Sequence, residues 1–252
     1  MNDQILKEFN KNRTAKKKLF AVLVDPDQLI EDRLRKVVEQ SNNAKVDYFF
    51  VGGSLLLRND LDQCLELIQA NSDIPTVLFP GSSLQINDRA DGILFLSLIS
   101  GRNPELLIGQ HVTSAPLLKE SALEIIPTGY MLVDGGRSTT VSYISNTIPI
   151  PSDKDDIAVS TAMAGEMLGL KTIYMDAGSG AQKPITDSMI SKVNQNINVP
   201  LIVGGGIKAP EQAVAVCRAG ADVIVVGDAI EKDESLLTDM SIAIHSTTTV
   251  SS

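Results

Sequence analysis

Cysteine, histidine, positive charge and long apolar runs are all scarce in this sequence, and each scarcity removes a class of protein. The two cysteines, Cys64 and Cys217, lie far apart, and each falls in an apolar helical pattern rather than a C-x-x-C pair. They read as buried packing residues, which argues against a disulfide framework. His111 and His245 sit away from the strand ends predicted below, so a histidine-based triad or a zinc site has no support. The strongly apolar, nearly uncharged run around Gly92 to Gly101 falls far short of the roughly 20 residues a membrane span requires. Acidic residues outnumber basic ones, 31 to 22, for a net charge of -9, and a nucleic-acid-binding face would need the opposite balance. Met1 to Lys18 carries scattered lysines without an apolar core or a small-residue cleavage site, so it does not read as a secretory signal, and a cytoplasmic location is expected. Lys16, Lys17 and Lys18, after Lys11 and Arg13, read as the solvated end of a terminal helix over residues 1–18, which leaves at most a transient membrane contact. Low complexity is confined to Ser246 to Ser252, a tail expected to fray.

What is present is a repeating alternation. Short β-rich apolar runs occur at Leu19 to Val24, Tyr48 to Val51, Pro75 to Phe79, Ile93 to Ile99, Glu124 to Val133, Thr172 to Met175, Leu201 to Val203 and Val223 to Val226. Helical spacing fills most of the gaps: Leu34 to Gln40, Leu61 to Ala70, Glu105 to Lys119, Ile157 to Leu168, Met189 to Gln195 and Glu211 to Ala219. Eight such units, with no G-x-G-x-x-G after the first strand, predict an α/β fold of the (β/α)8 or TIM-barrel type, as one domain over residues 1–252. Two connections are irregular. Pro80 to Asp91 is barely long enough for a crossover helix and predicts a gap in the helical wall. Asp134 to Ser152 is long and rich in Gly, Ser, Thr and Pro, without helical periodicity, and is expected to hang over the C-terminal mouth.

Catalytic residues of such a barrel lie where strands end. Three successive strand ends carry glycine: Ala177-Gly178-Ser179-Gly180, Gly204-Gly205-Gly206-Ile207 and Gly227-Asp228. Glycine lets backbone amides approach an anion closely, so the trio predicts a phosphate site, although any one of these turns would need glycine for its conformation alone. Asp25, with Asp27 just beyond it, ends the first strand, and Ser54 follows Gly52-Gly53 at the end of the second. A carboxylate and a hydroxyl there suit Mg2+, which keeps several waters and takes substrate phosphate oxygens; capping or turn roles are the plain alternatives. Asp176 and Tyr174 share a face of the sixth strand beside the glycine loop and are placed to hold hydroxyl groups of the molecule whose phosphate the glycines grip.

Five motifs now stand together: Leu23-Val24-Asp25-Pro26-Asp27, Val51-Gly52-Gly53-Ser54, Tyr174-Met175-Asp176-Ala177-Gly178-Ser179-Gly180, Val203-Gly204-Gly205-Gly206-Ile207 and Val226-Gly227-Asp228. Through them nearly the whole chain resembles the geranylgeranylglyceryl phosphate synthase family, prenyltransferases of ether-lipid biosynthesis. The resemblance implies a modified barrel lacking a regular third helix. It implies that sn-glycerol 1-phosphate binds through Tyr174, Met175, Asp176, Ala177, Gly178, Ser179, Gly180, Gly205, Gly206, Gly227 and Asp228, and that Asp25 and Ser54 hold Mg2+. The family motif often has Glu where this chain has Asp176; Asp176 and Tyr174 are the candidate catalytic residues. The Ala177-Gly178-Ser179 stretch separates the chain from the related heptaprenyl enzymes, so geranylgeranyl diphosphate is the expected donor, its tail lying in an apolar groove edged by the third-to-fourth connection. No D-D-x-x-D motif occurs, and Asp153 to Asp156 reads as the acidic start of a helix. A homo-oligomer is expected. Two other readings compete: a phosphosugar isomerase using Asp25 and Asp134 as an acid/base pair, and a non-catalytic barrel that binds a phosphorylated metabolite.

Overall fold

Strands such as β2 (Tyr48–Val51, YFFV) and β8 (Val223–Val226, VIVV) are apolar on both faces, as strands buried between a barrel interior and a coat of helices must be. The computed structural model describes residues 3–27, 30–58 and 60–247. The remaining strands are β1 (Leu19–Val24), β3 (Thr76–Leu78), β4 (Gly92–Leu98), β5 (Glu124–Leu132), β6 (Thr172–Asp176) and β7 (Leu201–Gly204). All pair in parallel in sequence order, and β1 pairs with β8 to close the barrel. The predicted (β/α)8 barrel is therefore the observed fold, with β1, β2 and β8 at their predicted limits.

The period-two pleat divides the core into two shells. Phe20, Val22, Phe49, Val51, Met175, Val203 and Val226 point outward into the layer beneath the helices. Ala21, Tyr48, Phe50, Val77, Tyr130, Tyr174, Ile202 and Val225 fill the barrel interior. Position on the pleat thus decides which residues can reach the mouth.

The helices are α1 (Gln4–Thr14), α2 (Glu31–Ala44), α3 (Leu61–Asn71), α4 (Gln110–Glu120), α5 (Thr140–Ile144), α6 (Asp155–Met167), α7 (Asp187–Asn196), α8 (Pro210–Ala219), α9 (Asp228–Lys232) and α10 (Leu236–Ser246). Between β3 and β4 there is only a single 3-10 turn, Ser83–Gln85, so the predicted gap in the wall is present. α4 is entered through a π-type turn, Glu105–Gly109, where a uniform helix was expected. Asp155 and Asp156 occupy the first turn of α6 as expected, and Asp155 accepts from Ser188 Oγ at 2.6 Å and Lys192 Nζ at 2.8 Å.

Four expectations need correction. The terminal helix ends at Thr14, and Lys18 is buried at the start of β1 rather than solvated; burial lowers its pKa, partly offset by Asp222. The long loop after β5 is not wholly irregular, because Thr139 and Ser142 form a reciprocal capping box that starts α5. Ser246 ends a helix whose face buries Leu237, Met240 and Ile244, so the tail does not begin there; 248–252 lie outside the described residues, as do 1–2 of the terminal helix. α10 itself was not foreseen. Cys64 and Cys217 are buried as expected, and burial pushes both thiols up to about 12.

α1 closes the bottom of the barrel. Ile5 and Phe9 join the interior cluster, with the Phe9 ring edge-on to Tyr48 at 5.2 Å. The buried Glu124 carboxylate accepts from the first-turn amides of Ile5 and Leu6 at 2.8 and 2.7 Å, giving two N-terminal N–H groups the partner that the helix cannot supply. Phe9→Ala is expected to cost about 3 to 5 kcal/mol in urea unfolding, as for other fully buried phenylalanines. A loss below about 1 kcal/mol would mean that α1 rests on the barrel without forming part of its core.

Candidate functional site at the barrel mouth

At the C-terminal ends of the strands lies a polar cavity of about 410 Å³. It brings together Asp25 from β1, Ser54 after β2, Tyr174 and Asp176 on β6, Gly178, Ser179 and Gly180 after β6, Gly205 and Gly206 after β7, and Gly227 and Asp228 after β8. Met175 and Ala177 are not among its lining residues. The pleat turns both side chains into the outer shell, although the Ala177 amide lies close to Gly205.

The glycine loops are held in one arrangement by specific contacts. Gly205 has φ +81°, and a Cβ built there would stand 2.6 Å from Asp176 Oδ1 and 2.8 Å from the Ala177 and Gly178 amide nitrogens. A side chain at this position would therefore displace the carboxylate as well as fill the cavity. Ser179 Oγ donates to Asp228 Oδ1 at 2.7 Å, tying the β6 loop to α9.

Asp176 is only 7% exposed. Its Oδ2 accepts from the Tyr130 hydroxyl at 2.6 Å and its Oδ1 from the Gly178 amide at 2.7 Å. Burial raises its pKa, the two hydrogen bonds draw it back, and Asp228 adds to the rise. The result is a fixed carboxylate of increased basicity at the edge of the cavity. Tyr130 was not singled out in the sequence, where it reads as a core aromatic of β5; its register opposite Tyr174 is the signal that places it. Phe79 was missed for the same reason. Its ring stacks on Tyr174, with centroids 5.1 Å apart and planes 20° apart, and Tyr130 stands edge-on to Tyr174 at 5.5 Å.

Asp25 and Ser54 meet across the β1 and β2 ends. A Cβ at Gly53 would lie 3.5 Å from each atom of the Asp25 carboxyl group, so the carboxylate rests directly beside the Gly53-Ser54 turn. No cluster of three His, Cys, Asp or Glu side chains able to hold a metal occurs among the described residues. One carboxylate and one hydroxyl are a hard-oxygen set suited to Mg2+, which completes its shell with water and substrate oxygens. Two further carboxylates, both outside the expected site, flank them. Asp27 accepts from the Leu57 and Arg58 amides and fixes the loop after Ser54. Glu231 accepts from the Asp25 amide at 3.4 Å, and burial, with added repulsion from Asp25 and Asp228, pushes its carboxyl up to about 7.

A second, largely apolar cavity of about 330 Å³ opens where the third covering helix is missing. Ile93, Phe95, Leu98, Leu106, Leu118 and Tyr130 are among its walls, and α5 contributes Val141 and Ile144. His111 also lines it, edge-on to Phe95 at 4.4 Å, with its pKa lowered by burial. Nothing in the sequence pattern marks this histidine as a site residue. Gly53, Ser54 and Phe79 border both cavities, so the two spaces meet at these residues. Asp134, by contrast, is exposed, lines neither cavity, and accepts from the Gly136 amide in its own loop at 2.8 Å. An Asp25–Asp134 acid/base pair therefore finds no support.

The chain is 58% identical over 245 residues to a geranylgeranylglyceryl phosphate synthase from Chitinophaga pinensis, with 97% of each chain covered. A synthase of the same name from Thermococcus gammatolerans is 41% identical over 89% of this chain and 88% of its own. The crystal structure of (S)-3-O-geranylgeranylglyceryl phosphate synthase from Thermoplasma acidophilum in complex with its substrate sn-glycerol-1-phosphate superposes with a TM-score of 0.91 at 32% identity, covering 96% of this chain and 98% of the other. The PcrB family profile matches residues 12–247, and with the barrel, its two joined cavities and these relatives, the chain belongs to the PcrB family.

Proposed function

We propose that this chain transfers a geranylgeranyl group from geranylgeranyl diphosphate to the C3 hydroxyl of sn-glycerol 1-phosphate, releasing diphosphate. The observation that carries the reading is that a cavity lined by glycine loops and an apolar groove share Gly53, Ser54 and Phe79 in their walls. A phosphorylated acceptor and a lipid donor are thereby brought to one point.

The glycine loops after β6, β7 and β8 receive the acceptor phosphate through backbone amides. Tyr174 and Asp176 face the glycerol part, and Asp176 orients the C3 hydroxyl and takes its proton as the ether bond forms. Tyr130 and Gly178 hold that carboxylate still. Asp25 and Ser54 would hold Mg2+ where the diphosphate departs, and the ion would offset the negative charge growing on the leaving group. The apolar cavity binds the tail, each buried methylene contributing about 0.8 kcal/mol. No described helix is long and apolar enough to cross a membrane.

Incubation with Mg2+, sn-glycerol 1-phosphate and C10, C15, C20 and C25 diphosphates below the detergent micelle threshold tests the reading. Turnover and affinity are expected to rise with length, because each isoprene unit buries more apolar surface, to peak at C20, and to fall once the groove is filled. Rates independent of length would remove the groove from the argument, and no transfer at all would return the phosphometabolite-binding barrel to first place.

Asp25→Asn is expected to lower kcat at fixed Mg2+ by at least about tenfold while calorimetric affinity for glycerol 1-phosphate stays within about twofold. Equal losses in both would take Asp25 out of the metal site. Tyr130→Phe removes a hydrogen bond that lowers the Asp176 pKa, so the acid limb of the kcat–pH profile is expected to move to higher pH. kcat near neutrality should fall about tenfold, on the scale of a hydrogen bond to a charged group. An unmoved acid limb would show that Tyr130 does not set the ionisation on which turnover depends.

A further inference from the structure

We propose that Phe79 is a catalytic residue whose ring face stabilises the positive charge that develops on the prenyl donor as its diphosphate leaves. The proposal rests on the prenyl-transfer reading above and goes beyond it by assigning the cationic half of the transition state to a side chain.

The location follows from the two cavities. With the tail in the apolar cavity and the acceptor in the polar one, the reacting carbon must lie where they join. Gly53, Ser54 and Phe79 border both. Of these, Gly53 has no side chain and Ser54 offers only a hydroxyl, so Phe79 supplies the sole π face among the described residues common to both spaces. Phe79 is half-buried, packed against the interior cluster while lining both cavities. Val77 and Phe79 share a side of the pleat, and Val77 belongs to the interior cluster.

The ring is held in place by its own backbone and by two phenols. The Phe79 amide donates to the Val51 carbonyl at 2.8 Å. A Cβ at Gly52, where φ is +146°, would lie 2.2 Å from the Phe79 carbonyl oxygen, so this close approach of β2 to β3 is possible only with glycine at 52. Tyr174 stacks against the ring at 5.1 Å and Tyr130 tilts toward it at 5.8 Å. Stacking fixes the ring's orientation, so no reorganisation is needed as charge appears.

In the reaction the allylic C1–O bond breaks and its electron pair leaves with the diphosphate. The deficient allyl carbons accept an electron pair from the C3 hydroxyl oxygen of glycerol 1-phosphate, and the hydroxyl proton passes to Asp176. Negative charge on the leaving group would be offset by Mg2+ held at Asp25 and Ser54. The complementary charge, spread over the allyl unit, is too diffuse for a single carboxylate, and the negative face of an aromatic ring suits it. An aromatic face also offers no nucleophile to compete with the acceptor hydroxyl.

The test is single-turnover rapid-quench kinetics with saturating substrates and Mg2+, comparing the unmodified chain with Phe79→Leu and with mono-, di- and trifluorophenylalanine incorporated at position 79. Fluorination keeps ring size and hydrophobicity while progressively emptying the ring face of electron density. The expected result is a stepwise fall in the bond-breaking rate with fluorine number, and a loss of about 30-fold for Phe79→Leu, with glycerol 1-phosphate affinity and donor KM within about twofold throughout. A flat fluorine series with active unmodified protein overturns the proposal even if Phe79→Leu is slow or misfolded, because the ring would then act by bulk alone. A chain that transfers no prenyl group defeats the functional reading first, and this proposal with it.

Discussion

Between β3 and β4 thirteen residues, 79–91, must cross the outside of the barrel, and they form only one 3-10 turn. A covering helix there would occupy the space that is now the apolar cavity. Without it, Gln85 turns inward and clasps the backbone of Gly53, donating through Nε2 to the carbonyl at 2.8 Å and accepting from the amide at 3.3 Å. The shortened link thus both opens the groove and fixes the β2 turn beside which Asp25 rests. The groove, and the bracing of the β2 turn at its edge, both depend on that missing helix.

The strands were legible because parallel strands buried on both faces read as unbroken apolar runs, and the glycine loops because close backbone approach leaves glycine few substitutes. Legibility ended where a residue's direction mattered more than its identity. Met175 and Ala177 were grouped with the acceptor site by contiguity in the motif, yet the alternation that points Tyr174 and Asp176 inward sends those two side chains under the helices. Tyr130 and Phe79 looked like ordinary core aromatics, since nothing in the sequence says that β5 sets Tyr130 beside a carboxylate on β6. α10 escaped because the segment around it carries no strong turn signals, and its anchoring is tertiary: Ser241 donates to the Ala44 carbonyl, and His245 Nε2 lies 2.8 Å from Asp47 Oδ2.

Electrostatics divide the mouth in two. Asp25, Asp27, Asp228 and Glu231 line the β1 and β8 side, where burial, with added repulsion from Asp25 and Asp228, raises the carboxyl of Glu231. A divalent cation brought there with a diphosphate would meet the unbalanced charge. Asp176 stands apart, its carboxylate satisfied by a phenol and an amide. Burial raises both Asp176 and Glu231, repulsion from Asp228 adds to each, and hydrogen bonds from backbone or phenol draw each back.

Because the polar and apolar spaces share only Gly53, Ser54 and Phe79 among the described residues, they are separable in evolution. Substitutions along β4, the π-type turn and α4 would reshape the apolar cavity without touching the glycine loops after β6, β7 and β8. Descendants of such a barrel are free to drift among hydrocarbon tails while the headgroup chemistry stays constant, and the three shared positions form the narrow seam where drift on one side is felt on the other.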